Sequence, residues 1–285
     1  MKKWIFYIVF AAAAAAGFLY ILFPSEQVRQ YIIRRAEQQS PGISVELGRV
    51  SPCMPPGLKL ENLQLSRSGR LLFESSQLRI IPGYLSLFSA RRVFHVSGSA
   101  CGGSFEGEVA IEEASRPDYG ADISFQGIKI EKIAALEELT PHKLYGEAEG
   151  SASCSTKGDE FGQGRAEIVV KKSRIDLNTS MFGFKGFAAG TLTAEIEIDG
   201  SRALVEEIRI EGKQVSGSAS GTIALKLPLQ RSRLDLSGSI GLHPAFVKKL
   251  GRAVPRKVFP IQEFVEKPIS FRISGTAERP EYSLR

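Results

Sequence analysis

From Ile43 onward the chain alternates. Ile43, Val45 and Leu47 are separated by polar residues, and the same period of two recurs at Leu58 and Leu60, Phe94 and Val96, Val109 and Ile111, and Ile123 and Phe125. It continues through Leu192, Ala194, Ile196 and Ile198, then Ile208 and Ile210, Ile223, Leu225 and Leu227, Leu234 and Leu236, and Phe271 and Ile273. Successive side chains of a strand point to opposite faces, so this period predicts strands with one apolar and one polar face. Small-residue pairs such as Ser97-Gly98, Gly102-Gly103, Ser216-Gly217 and Ser237-Gly238 fall at strand-like intervals and supply turns and bulges. The strand-then-small-residue theme repeats at Phe94, Ile208, Leu234 and Phe271. The expectation is a mainly β protein built on one elongated, curved antiparallel sheet. Such an apolar face must fold over, pack on something or hold an apolar ligand. Its candidate lining is Phe94, Val96, Val109, Ile111, Ile123, Phe125, Ile196, Ile198, Ile223 and Leu225.

Other segments break the period. Trp4 to Phe23 carries no charge and is long enough, at about 1.5 Å per residue, to cross a bilayer core as a helix. Trp4, Phe10, Phe18 and Phe23 are its candidate anchoring residues. A cleaved signal peptide is the rival, with Ala11–Ala16 offering a cleavage site, but Phe18 to Phe23 continues the apolar run beyond it. Lys2 and Lys3 favour a cytoplasmic N-terminus, although Arg29, Arg34 and Arg35 follow closely on the other side. Next, Ser25 and Glu26 suit a helix start, Val28, Ile32 and Ile33 give it an apolar stripe, and Pro41-Gly42 ends it. Short helices are expected over 130–139 and 243–250. The resulting division is a tail and transmembrane helix over 1–23, a membrane-proximal helix over 24–42 and a β-rich groove domain over 43–285. An unusually aromatic loop, with Met181, Phe182, Phe184 and Phe187, is a candidate contact surface.

Composition narrows the function. An apolar fraction of 43% is ample for a core, and 28 glycines suit short strands joined by turns. The formal charge of +6 is scattered among acidic residues rather than gathered into a stripe, which argues against nucleic-acid binding. His95, His142 and His243 are far apart and have no metal-like spacing with cysteine or carboxylate. Acidic pairs such as Glu112-Glu113 and Glu206-Glu207 are sequence neighbours, which a strand turns to opposite faces. No nucleophile elbow, phosphate loop or zinc motif is present, so no catalytic, metal or cofactor-binding residue is assigned, and the chain reads as a non-enzyme. Cys53, Cys101 and Cys154 allow at most one internal disulfide, and the spacing selects no pair.

The order of these features resembles a known family. Phe23-Pro-Ser-Glu with a short helix, then Pro41-Gly-Ile-Ser-Val-Glu-Leu47 and Pro52-Cys-Met-Pro-Pro-Gly-Leu-Lys-Leu-Glu-Asn-Leu63, resembles the type II secretion system protein N (GspN) family. The runs from Gly190 to Ile223 and from Ile273 to Tyr282 resemble the wider AsmA-like group. The first resemblance implies an inner-membrane anchor, a periplasmic β-groove domain and other secretion subunits as partners. The second implies an apolar groove that shields lipid chains in transit. Neither brings catalytic residues or a cofactor.

Overall fold

The computed structural model describes residues 4, 7, 10, 17–18, 20–39, 42–67, 69–112, 118–134, 136, 142–157, 160–181, 184–226, 231–243 and 268–284. Among the described residues, helix α1 (Ser25–Gln39) leads into fourteen strands. These are β1 (Ile43–Cys53), β2 (Gly57–Arg67), β3 (Arg70–Pro82), β4 (Arg91–Ala100), β5 (Gly103–Glu112), β6 (Asp118–Lys129) and β7 (Lys143–Lys157). The second half holds β8 (Glu160–Met181), β9 (Phe184–Asp199), β10 (Arg202–Glu211), β11 (Val215–Ala224), β12 (Arg233–Leu242), β13 (Ile269–Gly275) and β14 (Pro280–Leu284). All fourteen form a single sheet in chain order, and every pairing is antiparallel. At a spacing of about 4.8 Å between strands, the sheet measures roughly 60 Å from first strand to last. Among the described residues β1 pairs only with β2 and β14 only with β13, so the sheet does not close.

The turns follow from local chemistry. Ala100 pairs with Gly103, leaving Cys101 (φ 50°) and Gly102 (φ 80°) as the two central residues between β4 and β5. Positive φ at both positions gives the mirror-image turn whose twist matches flanking strands. Sequence placed this turn one residue later, at Gly102-Gly103; Gly103 is instead the first residue of β5.

The core is concentrated at one end. Val45, Leu47, Val50, Leu60 and Leu63 are buried together, and Phe23, Val28, Ile32, Ile33 and Ala36 pack against them. The apolar stripe of α1 therefore lies on the apolar face of β1 and β2, with Phe73, Leu78 and Ile80 of β3 at its margin. Arg29 fixes the helix in place: its Nη1 donates to the Leu47 carbonyl (2.9 Å), while Nε and Nη2 donate to Glu26 (2.9 and 2.7 Å). The Arg29 guanidinium, helped by the Gln30 amide, holds the Glu26 carboxyl down at about 2.

Two expectations are corrected here. Among the described residues no helix is long and apolar enough to cross a membrane, so the transmembrane helix over 4–23 is not supported. Helix α1 has fifteen residues, spans only about 22 Å, and carries Glu26, Arg29, Arg34, Arg35 and Glu37. Trp4, Phe10 and Phe18 are helical and exposed, whereas Phe23 is half-buried against the β1–β2 core. The helix expected over 130–139 is a 3-10 turn at Ile130–Lys132, followed by helical positions at Ala134 and Leu136; residues 135 and 137–139 lie outside the described set. Of the segment 243–250, only His243 is described.

Candidate binding face

Strand register lines the apolar positions into rows that cross the sheet. One row runs Val50, Leu60, Leu78, Gly98, Phe105, Phe125 and Gly150 from β1 to β7. It continues through Ile168, Ala194, Ile208, Ala219, Gly238, Phe271 and Leu284 to β14. A second row runs Pro52, Leu58, Ile80, Val96, Gly107, Ile123 and Ala152, then Ala166, Ile196, Val205, Gly221, Leu236, Ile273 and Tyr282. Neither row contains a charged side chain. A partial third row joins Phe94, Val109, Ala121, Cys154, Gly164, Ile198, Ala203, Ile223 and Leu234.

The ten candidate lining residues fall on this face, but they do not form one cluster. Phe94, Val96, Val109, Ile111, Ile123 and Phe125 neighbour one another on β4 to β6. Ile196, Ile198 and Ile223 sit on β9 and β11, and Leu225 follows β11 with its N–H donated to the Ser201 carbonyl. All ten are half-buried. Sequence reading missed Phe73, Phe105 and Ile168, and the glycines that complete the rows. Those glycines have a packing role: a Cβ at Gly98 would lie 2.8 Å from the Phe105 ring, and one at Gly238 would lie 2.8 Å from the Phe271 ring. Each phenyl ring covers the bare backbone of the neighbouring strand, keeping the surface apolar where a glycine would otherwise expose peptide groups.

The opposite face is ionic. Lys171 pairs with Glu149, Lys172 with Glu147 (3.3 Å), Arg165 with Glu167 (3.1 Å), Arg209 with Glu207 (2.8 Å) and Arg272 with Asp235 (2.9 Å). These pairs are solvent-exposed, so they keep the face wet rather than stabilise it strongly. Its shallow depressions are floored by short side chains, notably Ser97, Ser99, Ser104 and Ser124 beside Gln77 and Gln126. A second lies over Ser218, Ser220, Ser237, Ser239 and Ser270. His95 faces Glu108 here at 3.2 Å, far from any second metal ligand; among the described residues no group of His, Cys, Asp or Glu could hold a metal ion. Cys53, Cys101 and Cys154 are free thiols, and burial raises the Cys101 thiol above its ordinary value.

The aromatic loop is only partly described. Met181 pairs with Phe184 at the tip of the β8–β9 hairpin, Phe182 lies outside the described residues, and Phe187 is half-buried opposite Ile175. β8 extends beyond its last pairing with β7, Asp176 to Lys143, so the hairpin projects past its neighbour.

No family model, curated protein or solved structure matches the chain. The resemblance to the GspN family and the AsmA-like group therefore rests on the residues quoted for it.

Proposed function

We propose that this chain is a non-enzymatic lipid-handling protein that holds acyl chains against the apolar face of its sheet. One observation carries the reading: two rows of side chains cross all fourteen strands without a charge, while the reverse face is studded with ion pairs. From β4 to β9 the large side chains of those rows stay half-exposed, among them Phe105, Ile123, Phe125 and Ile168. A contiguous apolar surface of this extent calls for a partner. At about 0.8 kcal/mol per buried methylene, eight methylenes contribute roughly 6 kcal/mol before the cost of ordering the chain. The AsmA-like resemblance points the same way, and no catalytic group is needed.

The test is to purify the full chain, extract it with organic solvent and identify the extract by mass spectrometry. Near-stoichiometric phospholipid or lipopolysaccharide is expected, reduced at least fivefold by Ile123→Glu. A lipid-free preparation overturns the reading.

A second reading, a subunit of a type II secretion assembly, is favoured by β1. Among the described residues this strand of eleven residues pairs with no strand on its outer side, so it can accept a partner strand by edge addition. Co-purification of secretion subunits with lipid-free protein supports it over the first.

A further inference from the structure

We propose that α1 is a built-in end stop of the binding face, occupying the β1 and β2 rungs that a bound acyl chain would otherwise take and confining cargo to the strands from β3 onward. The inference rests on the lipid reading and adds where on the face the lipid lies.

The rungs beneath α1 belong to the same rows as the open ones. Val50 and Leu60 lead through Leu78 and Gly98 to Phe105, with no change of face. What changes is the cover. Under α1, Leu47 is 3% exposed, Val50 0% and Leu60 4%; further along the sheet, on β5, Phe105 and Val109 are half-exposed. Val28, Ile32, Ile33 and Ala36 supply the covering surface, and they are aliphatic, as an acyl chain is. Helix and cargo thus compete for one kind of site by one kind of contact, and the helix has two advantages. It is tethered to β1 by a short connection, which gives it a high effective concentration. It is also locked by Arg29, whose guanidinium spans Glu26 and the Leu47 carbonyl, a polar contact that a lipid tail has no group to replace.

The test uses the full chain and vesicles of phosphatidylcholine carrying a diazirine in the acyl chain. After illumination, labelled peptides are mapped along the sequence. Labelling is expected on β3 to β9, with β1 and β2 at least tenfold lower. In a Val28→Asp/Ile32→Asp variant, β1 and β2 should gain at least fivefold while β8 and β9 label as before, which also reports that the rest of the sheet is folded. Equal labelling of β1 and β2 and of β3 to β9 in the unaltered protein overturns the end stop and leaves the lipid reading standing. The end stop also falls if the variant keeps β8–β9 labelling and gains none on β1 and β2. No labelling on any strand overturns both.

Discussion

Strands β1 and β2 and strands β3 to β9 carry the same alternation, share the same rows, and differ in what lies on top of them. In the first region five large aliphatic side chains are buried, with a helix packed over them. In the second, the buried positions are the small ones, Ser75, Ala100, Ala110, Ala148, Ser173, Ala189 and Ala194 together with Val170, while phenylalanines and isoleucines stay half-exposed. Alternation assigns a residue to a face; it does not reveal whether that face has a second layer. The first region is therefore a stability element, and the second is a surface whose apolar character demands something outside the sheet. The two should respond differently to the same kind of substitution.

The largest contrast is expected from truncation. Leu60→Ala removes a 4%-exposed side chain from the covered cluster and should lower unfolding free energy by about 3 kcal/mol. Ile123→Ala, on the open face of β6, should cost about 1 kcal/mol or less because the side chain is already part-solvated. Urea denaturation of the two variants measures the gap, and equal losses would erase the distinction between the regions. Next in size is Gly107→Val. A Cβ there would collide with the Asp122 carbonyl oxygen of the neighbouring strand, so spreading β5 from β6 should cost about 2 kcal/mol. This loss would show that the open region is tightly paired within the sheet even though, among the described residues, no helix lies above its face.

Much of the β architecture was legible because period two is a strong signal over many strands, as at Phe94 and Val96 or Val109 and Ile111. The complete rows were not, and bulges are the reason. On β3 the apolar face passes from Ser75 to Leu78, on β6 from Phe125 to Ile128, on β8 from Val170 to Ser173 and on β10 from Val205 to Ile208, each at a register irregularity. One extra residue reverses the sequence phase while the side chains stay on the same face. Glu206-Glu207 lies in such a bulge, which explains why the apolar face holds the odd positions Ala203 and Val205 before it and the even positions Ile208 and Ile210 after it. The glycines were legible only as turn formers. That Gly98 and Gly238 are covered by rings from the next strand depends on pairing, which a single sequence does not display. The apolar run over 4–23 misled in a different way: among the described residues no helix is long and apolar enough to cross a membrane, and only its last residue, Phe23, packs on the β1–β2 core.

The smallest expected effect probes how α1 is held to the covered region. Glu26 is held down at about 2 by Arg29 and Gln30, against an ordinary value of 4.5. A carboxyl with a lowered folded-state value binds protons more readily when its contacts are broken, so its contribution is fully present above about 4.5 and disappears as the pH falls through about 2. Protonation removes the acceptor charge for Arg29 Nε and Nη2, leaving only the Leu47 carbonyl to position that guanidinium. The pair is solvent-exposed, so global stability should change little. Local opening is the sensitive readout: amide exchange at α1, corrected for intrinsic rate, should accelerate between pH 4.5 and 2, while exchange on β8 and β9 stays flat. Glu26→Gln should be faster than the unaltered protein at pH 5 and lose that step. If α1 opens with the same pH profile in Glu26→Gln, some group other than this carboxylate holds the helix on the sheet.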